Sequence, residues 1–365
     1  MASSWTSTVN AAAAALSPYV PADPAGIRWR LDANEAPSSL LAPLREALVA
    51  ALAQVEPSRY PDARALALRA ALAGWLGTEA ERLVVGSGSD ESIAMVLMAF
   101  SERRPGRAKP VVLIPTPTFV MYRATALLNG YEVVEVPLDD AFQLDEIAMA
   151  SALAALEPNV VFLASPNNPT AAAFDPAAIA RLVTRAPSTI FVLDEAYGAF
   201  STRQPARRAD DPENLVRMGT LSKIGLAALR IGWVEASPRV ARIVDVVRHP
   251  FNTSATSQAL ACAVLEKHGA FLRDLAASLV VERERLASAI AASGAARVHP
   301  SDANFLWIEV EASADTVWRR LVDEGVLVRC FAGKGGRLDR CLRVTVGDRD
   351  ANDAFLAAWA KVTRS

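Results

Sequence analysis

A lysine, two hydroxyl residues and an arginine lie close together in an otherwise apolar stretch, GTLSKIGLAALRIGWV at residues 219–234. Lys223 follows Thr220 and Ser222, and Arg230 comes seven positions after the lysine. A lysine that only solvates a surface has polar neighbours, and this one has few. Amine, hydroxyl and guanidinium groups together suit a bound phosphate. We therefore expect Lys223 to be a functional amine beside an anion site.

A carboxylate follows a second apolar run, in IFVLDEAY. Asp194 comes directly after four apolar residues, at the predicted end of a buried strand. A carboxylate in such a place costs free energy unless a cation or a protonated ring pairs with it. The alternative interpretation is that Asp194 caps the following turn, EAYGAF. The residues alone leave both interpretations open.

Three further segments carry polar or aromatic residues where predicted strands end. GSGSDES places Ser89 and Asp90 at a predicted helix N-terminus, which favours an anion, although an ordinary N-cap with a glycine turn fits as well. Asn168 lies in SPNNPT, a segment of turn-forming residues. PTPTFVMY supplies Phe119 and Tyr122, aromatics that pack in a core or lie on a ring-shaped ligand.

These features taken together indicate one cofactor, pyridoxal 5'-phosphate. That group needs a lysine for its Schiff base, an acid opposite its pyridinium nitrogen, donors to its phenolic oxygen and a cup for its phosphate. Lys223 and Asp194 match the first two needs, and Thr220, Ser222 and Arg230 match the phosphate cup.

Short β-branched runs alternate with longer helical patterns, which is typical of an α/β fold with a parallel sheet buried on both faces. The predicted strands are 83–86, 111–115, 132–136, 160–164 and 190–194, and predicted helices include 92–100, 176–186 and 274–290. We expect a large, doubly wound, mostly parallel domain and a small α+β domain. The predicted bounds are 46–255 for the large domain and 256–365 for the small one, which the N-terminal segment 1–45 joins.

The composition excludes several classes of protein. The 365 residues carry a formal charge of -2, which argues against a nucleic-acid-binding surface. Three cysteines and three histidines are scattered, so we expect no disulfide framework and no metal site. No window approaches the ~18 consecutive apolar residues that a membrane helix needs, and no basic residue precedes NAAAAAL, so we expect a cytoplasmic protein.

Across nearly its whole length the chain resembles the class I/II, fold-type I aminotransferases, whose fold is that of aspartate aminotransferase. The resemblance rests on the order and spacing of these segments: SPYVPA, LDANEAP, RYPD, GSGSDE, PTFVMY, SPNNPT, VLDEAY, TLSK with LAALRIG, ANF and LRVTVG. Within that class the chain is most similar to enzymes that act on histidinol phosphate.

The resemblance implies roles for the cofactor-binding residues. Lys223 is the Schiff-base lysine and later moves the Cα proton, while Asp194 keeps the pyridine nitrogen protonated. Asn168 and Tyr197 hydrogen-bond the phenolic oxygen, and Phe119 stacks on the ring. The phosphate is held at the helix that begins near Ser89 and Asp90, with help from Thr220, Ser222 and Arg230.

The resemblance also implies substrate contacts and a partner subunit. Arg343 grips the substrate α-carboxylate, a task that suits a guanidinium group. Arg329 and Tyr19 face the distal part of the substrate. Tyr60, in RYPD, reaches the cofactor phosphate of the other subunit, so a functional site requires a homodimer.

Some positions depart from the usual family pattern. Ala171 and Ala36 stand where glycine and asparagine are common, and we expect both changes to affect turns only. The interval from Lys223 to Arg230 is one residue shorter than in many relatives. GKGGRLDR, at 333–340, is glycine-rich but lacks the context of a phosphate loop, and we expect a mobile surface loop.

The activity implied is transfer of an amino group from L-histidinol phosphate to 2-oxoglutarate, giving imidazole acetol phosphate and L-glutamate in histidine biosynthesis. A threonine-phosphate decarboxylase and an aromatic or broad-range aminotransferase share this scaffold and stay open as alternatives. A regulator that binds the cofactor without catalysis is a third alternative. It is disfavoured because no DNA-binding segment is present and Lys223 and Asp194 both remain.

Overall fold

A computed structural model describes residues 4–18, 20–203 and 211–363. Its strands are β1 (Trp29–Leu31), β2 (Leu83–Ser87), β3 (Val111–Thr116), β4 (Glu132–Pro137), β5 (Val160–Ala164), β6 (Ile190–Asp194), β7 (Leu215–Thr220), β8 (Ile231–Glu235), β9 (Ala296–Val298), β10 (Phe305–Val310), β11 (Val326–Cys330) and β12 (Cys341–Thr345). All five predicted strands are present. Strands β7 and β8, which flank Lys223, were not predicted from the sequence.

The helices alternate with the strands through the middle of the chain. They are α1 (Ala11–Ala15), α2 (Arg45–Leu52), α3 (Leu66–Leu76), α4 (Gly88–Ala99), α5 (Val120–Leu128), α6 (Glu146–Leu156), α7 (Pro176–Arg185), α8 (Pro238–Val247), α9 (Ala255–Ala292), α10 (Ala314–Asp323) and α11 (Arg349–Thr363). Among the described residues, no helix is both long and apolar enough to cross a membrane.

The larger sheet has the strand order β2-β8-β7-β6-β5-β3-β4. Strands β7, β6, β5, β3 and β4 run parallel, while β8 lies antiparallel between β2 and β7. Most of their side chains are buried, as expected for a sheet covered by helices on both faces. The predicted α/β class with a mostly parallel sheet is confirmed.

The smaller sheet joins the two ends of the chain, with the order β1-β11-β12-β10-β9. Strand β1 pairs parallel with β11, and the other neighbours pair antiparallel. This pairing supports the assignment of the N-terminal segment to the small domain, although the domain bounds 1–45, 46–255 and 256–365 stay a prediction.

Helix α9 runs between the two sheets and contacts elements on both sides, among them α2, α3, β9 and α11. Its backbone leaves helical geometry at His268, which has φ −128° and ψ 18°. Gly269 follows the kink, and a Cβ added there would lie 3.2 Å from Trp75 Cδ1. The small residue therefore lets the helix pass close to α3.

An ion cluster surrounds the buried Glu309 of β10, and we call its four residues the Glu309 cluster. Glu309 accepts hydrogen bonds from Arg337 Nε at 2.8 Å and Arg340 Nη2 at 2.6 Å, and His299 Nε2 lies 3.6 Å from its Oε2. Burial would raise the pKa of Glu309, but the two guanidinium groups hold that pKa below its usual value. The segment 333–340, expected to be a surface loop, thus supplies two cations to a buried carboxylate.

Candidate active site

Three parallel strands end at the same edge of the larger sheet and bring the predicted polar residues together. Asp194 is the last residue of β6 and pairs with Ala164 of β5 and Met218 of β7. Asn168 follows β5, and Thr220 ends β7. This edge is where doubly wound sheets bind ligands, because their parallel strands all end there.

Asp194 is 5% exposed, and neutral donors hold both of its carboxylate oxygens. Oδ1 accepts the backbone N–H of Ala196 at 2.9 Å, and Oδ2 accepts the hydroxyl of Tyr122 at 2.6 Å. Burial raises the pKa of this carboxyl to about 6. Among the described residues no Lys, Arg or His forms an ion pair with it. Asp194 Oδ1 caps the following turn through its bond to the Ala196 N–H. Capping does not account for Oδ2, which bonds to the Tyr122 hydroxyl instead.

Lys223 lies in a short 3₁₀ turn, Ser222–Ile224, directly after β7. Its Nζ is 3.4 Å from the carbonyl oxygen of Ala33 and 5.8 Å from the centre of the Tyr197 ring. Thr220 Oγ1 and Ser222 Oγ are 2.8 Å apart. The turn therefore places the amine and the two hydroxyls near the carboxyl ends of the strands, as the sequence predicted.

The N-terminus of α4 and the start of β8 form a close backbone-lined cradle. A Cβ on Gly232 would collide with the backbone of Gly88 and Ser89, and a Cβ on Gly88 would collide with the guanidinium group of Arg230. Arg230 also pairs with Asp90 at 3.3 Å, and both side chains are about half exposed. Free N–H groups of a helix N-terminus beside an arginine suit a phosphate.

Arg343 connects the smaller sheet to the end of β5. Its Nη1 donates to Asn168 Oδ1 at 2.6 Å, and its Nη2 donates to the carbonyl oxygen of Asp32 at 2.5 Å. Arg329 lies directly opposite Arg343 in the antiparallel ladder of β11 and β12. Both guanidinium groups therefore start from the same face of the sheet.

Tyr197 is 5% exposed, and its hydroxyl accepts a hydrogen bond from Asn34 Nδ2 at 2.9 Å. Asn34 is 1% exposed and is held in turn by Thr345, whose Oγ1 donates to Asn34 Oδ1 at 3.1 Å. Asn304 Nδ2 donates to the backbone oxygen of Asn34 at 3.1 Å. Asn34 lies in the segment LDANEAP, and no role was predicted for it from the sequence.

The aromatic residues occupy different surroundings. Phe119 lies at the start of α5, partly buried, with its ring edge-on to Tyr122 at a centroid distance of 5.6 Å. Tyr60 is 82% exposed and stacks on Phe251 at 4.7 Å. Tyr19, predicted to face the substrate, lies outside the described residues.

The chain matches a family model described as aminotransferase class I and II over residues 29–358. This chain belongs to the class I and II aminotransferases. Enzymes of this family use pyridoxal 5'-phosphate, so the predicted cofactor and enzyme class are confirmed.

Two curated relatives and one solved structure show which members of the family this chain is similar to. Histidinol-phosphate aminotransferase 1 of Burkholderia lata is 42% identical, and histidinol-phosphate aminotransferase 2 of Nitrosococcus oceani is 39% identical, each over 94% of both chains. The histidinol-phosphate aminotransferase of Sinorhizobium meliloti, solved with pyridoxal 5'-phosphate, is 26% identical with a TM-score of 0.81, covering 93% of this chain and 91% of that one. The predicted aspartate aminotransferase-like fold is confirmed.

The described residues fit this cofactor. Gly232 and Gly88 let the start of β8 and the Arg230 guanidinium pack against the backbone at the N-terminus of α4, so an arginine lies beside the free N–H groups of that helix. The buried carboxylate of Asp194 has only neutral donors among its hydrogen-bond partners, so it suits a protonated ring nitrogen. Lys223 supplies an amine at the same edge of the larger sheet, directly after β7.

Proposed function

We propose that this aminotransferase transfers an amino group from L-histidinol phosphate to 2-oxoglutarate, in the biosynthesis of histidine. The observation that carries the amino donor is the similarity to the histidinol-phosphate aminotransferases of Burkholderia lata and Nitrosococcus oceani, at 42% and 39% identity over 94% of this chain. The products are imidazole acetol phosphate and L-glutamate. The cytoplasmic location stays a prediction, which fractionation of cells tests.

In this proposal Lys223 is the covalent attachment point of the cofactor and Asp194 faces its ring nitrogen. The carboxylate of Asp194 supports that role, because it is buried and bonded only to a hydroxyl and a backbone N–H. A cationic ring nitrogen would compensate the carboxylate. Reduction with borohydride and peptide mass spectrometry would test whether the cofactor is attached to Lys223.

Asn168 and Tyr197 are assigned to the phenolic oxygen of the cofactor, and Phe119 to the face of its ring. Two contacts support the first assignment: Arg343 orients the Asn168 amide, and Asn34 orients the Tyr197 hydroxyl. Side chains already held by neighbours present a fixed geometry to a ligand.

The phosphate of the cofactor is assigned to the cradle at the start of α4. Ser89 and the backbone there, Thr220, Ser222 and Arg230 are the donors. Asp90 holds Arg230 at 3.3 Å and so fixes the direction of the guanidinium group. One arginine and a helix N-terminus supply positive potential to an anion.

When bound, pyridoxal 5'-phosphate would supply an electron sink that acidifies the Cα–H bond of the substrate amine. Lys223 Nζ would be the group that takes the Cα proton as a base and returns it as an acid. The Lys223 amine lies near the Ala33 carbonyl and the Tyr197 ring, which restrict its position. Proton transfer requires hydrogen-bond distance, so the amine must be held close to the atom that gives up the proton and to the atom that receives it.

The two arginines of the smaller sheet are assigned to the anionic ends of the substrates. Glutamate has an α-carboxylate, which the planar fork of Arg343 fits in a two-point contact. Histidinol phosphate has no α-carboxylate, so its phosphate needs a cationic site of its own. Arg329, opposite Arg343 in the ladder, supplies a second guanidinium for that purpose.

Homodimerisation with shared active sites is part of the proposal. Tyr60 is 82% exposed in this single chain, and other exposed apolar side chains include Val49, Leu52 and Leu66. Exposed apolar groups of this kind are common at subunit interfaces. Light scattering on purified protein measures the mass of the assembly.

Mixed dimers test whether Tyr60 serves the partner subunit's site. One subunit carries Tyr60→Ala and the other Lys223→Ala, so each homodimer lacks one function. If Tyr60 acts across the interface, the mixed dimer regains one intact site and its activity exceeds that of both parents. If Tyr60 acts within its own subunit, mixing restores nothing.

The substrate proposal is tested by titrating the visible absorbance of the purified enzyme with single amines. L-Histidinol phosphate and L-glutamate should each convert the cofactor to its amine form. Conversion with aromatic amino acids, and not with histidinol phosphate, would indicate the broad-range enzyme. Release of carbon dioxide from L-threonine phosphate without that conversion would indicate the decarboxylase.

A further inference from the structure

Tyr122 is fully buried and touches two residues assigned to the cofactor. Its hydroxyl donates to Asp194 Oδ2 at 2.6 Å, and its ring meets the ring of Phe119 edge-on at 5.6 Å. On another side the Tyr122 ring stacks on Phe162, with centroids 4.8 Å apart and planes 5° apart. From the sequence, Tyr122 was predicted to pack in a core or to lie on a ring-shaped ligand, and no contact with Asp194 was predicted.

The contacts of Tyr122 fix the direction of its hydroxyl. The residue lies in the first turn of α5, and its ring packs between Phe162 of the sheet and Phe119 at the helix start. With the ring held, the hydroxyl has one direction along the ring axis, and that direction leads to Asp194. The second carboxylate oxygen is held by the Ala196 N–H.

The hydrogen bond also affects the charge of Asp194. Burial raises the pKa of Asp194, the hydrogen bonds from Tyr122 and the Ala196 N–H oppose that rise, and the carboxylates of Glu195 and Asp90 add to it. Burial and the neighbouring carboxylate raise the pKa of Tyr122 well above its ordinary value, so the phenol keeps its proton and remains a donor. A neutral donor stabilises the carboxylate without cancelling its charge.

We propose that Tyr122 is a positioning residue of this active site, which holds the Asp194 carboxylate in place and ionised for a cationic ring nitrogen while its own ring fixes Phe119. The inference rests on the proposed roles of Asp194 and Phe119. Tyr122 itself acts through these residues and needs no contact with substrate.

The test compares Tyr122→Phe with Tyr131→Phe. Tyr131 is also buried, at 1% exposure, and its hydroxyl donates at 2.7 Å to the backbone oxygen of Leu97, away from Asp194. Each variant removes one buried hydroxyl from the same half of the molecule. The readouts are the Kd of the apoenzyme for pyridoxal 5'-phosphate and the pH dependence of that Kd.

Tyr122→Phe should weaken cofactor binding by about 10-fold at neutral pH, the equivalent of one hydrogen bond to a charged group. The acid limb of the binding curve should move to higher pH, because the carboxylate loses a donor that lowers its pKa. Tyr131→Phe should leave both readouts unchanged. In an Asp194→Asn background the Tyr122→Phe change should have little further effect on Kd.

Equal behaviour of the two variants in Kd and in the acid limb would overturn the inference, even if both lower the melting temperature. If wild-type apoenzyme binds no cofactor, the assignment of the site fails instead, and the two failures are thereby distinguished. Should Tyr122→Phe not fold, Phe162→Leu replaces it. That variant keeps the Tyr122 hydroxyl but loosens the packing of the Tyr122 ring. We expect the Kd and the acid limb to shift in the same directions by a smaller amount. No shift in either quantity would overturn the inference.

Discussion

Two buried carboxylates of this aminotransferase have opposite surroundings. Glu309 of the smaller sheet is held by the guanidinium groups of Arg337 and Arg340, which keep its pKa below the usual value. Asp194 of the larger sheet is bonded to a phenol and a backbone N–H, and burial raises its pKa to about 6. One cluster balances its charge with its own residues, and the other leaves a negative charge for a ligand.

The difference separates a structural carboxylate from a functional one. A buried carboxylate that is paired within the chain has no uncompensated charge to offer a cofactor, and removal of one partner destabilises the fold. A buried carboxylate with neutral donors costs stability and attracts a cation. Charge compensation among the described residues therefore distinguishes these two sites better than burial, since both carboxylates are less than 10% exposed.

Replacement of the two carboxylates should give the largest effects and should affect different properties. Asp194→Asn should lower kcat/KM by about 10²–10³-fold, because the ring nitrogen loses its negative partner. Glu309→Gln should leave kcat/KM within a few-fold of wild type. Steady-state kinetics with L-histidinol phosphate measures both. Similar losses in the two variants would contradict the comparison.

The order of the two variants should be reversed for stability, with the larger loss in Glu309→Gln. Glu309→Gln should lower the free energy of unfolding by about 1–2 kcal/mol, because Arg337 and Arg340 lose a charged acceptor but reach solvent, with side chains 27% and 53% exposed. Glu311→Gln, at an exposed position two residues along, is the control and should change little. Asp194→Asn should leave the apoenzyme as stable as wild type or more so. Urea unfolding of the apoenzyme measures all three.

The pH dependence of apoenzyme stability should also distinguish the two regions. Between about pH 4 and 6 the native Asp194 holds a proton that the unfolded chain has released, so its contribution to the free energy of unfolding falls by about 2–3 kcal/mol as pH rises. Burial and then Arg337 lower the pKa of His299 to about 4. Its contribution is therefore full above about pH 6.5 and is lost as pH falls.

Subtracting the unfolding curves of Asp194→Asn and His299→Asn from that of wild type isolates each contribution. The two difference curves should slope in opposite directions between pH 4 and 6. Parallel curves would mean that the local charges assigned to the two regions do not govern their titration.

A smaller effect is expected from the backbone next to Asn168. Ala171 is fully buried and has φ 69°, a left-handed conformation that a Cβ disfavours by about 1–2 kcal/mol. Ala171→Gly should raise the free energy of unfolding by about 1 kcal/mol, since the lost Cβ contacts and the freer unfolded chain offset part of the gain. A fall in stability would show that packing of the Cβ outweighs the strain.

Much of the larger sheet followed from the sequence because local composition determines it. The run VVFLA and the first four residues of IFVLD are apolar and contain several β-branched residues, and the structure has strands at the same residues. The polar residues after these strands were predicted to meet because parallel strands end at one edge. The missed strands β7 and β8 contain or adjoin glycine and polar residues, such as Gly219 and Arg217, which weaken the local strand pattern.

The partners of the site residues were harder to predict, because they depend on distant parts of the chain. Asn34 and Tyr197 are 163 positions apart, and Tyr122 and Asp194 are 72 apart. No local pattern encodes such a bond. Tyr122 comes three residues after Phe119, a spacing that places both side chains on one side of a helical turn. That spacing was the signal from which a place for Tyr122 beside Phe119 could have been predicted. The roles assigned to the site residues remain proposals.

The pairing of β1 with β11 has a consequence for how the chain is made. Trp29 lies opposite Val326, so about 300 residues must leave the ribosome between the two strands. At roughly 5–20 residues per second this takes on the order of 15–60 s. Strand β1 therefore has no pairing strand during this time. The strands of the larger sheet lie between residues 83 and 235, so that sheet can fold before β11 is synthesised.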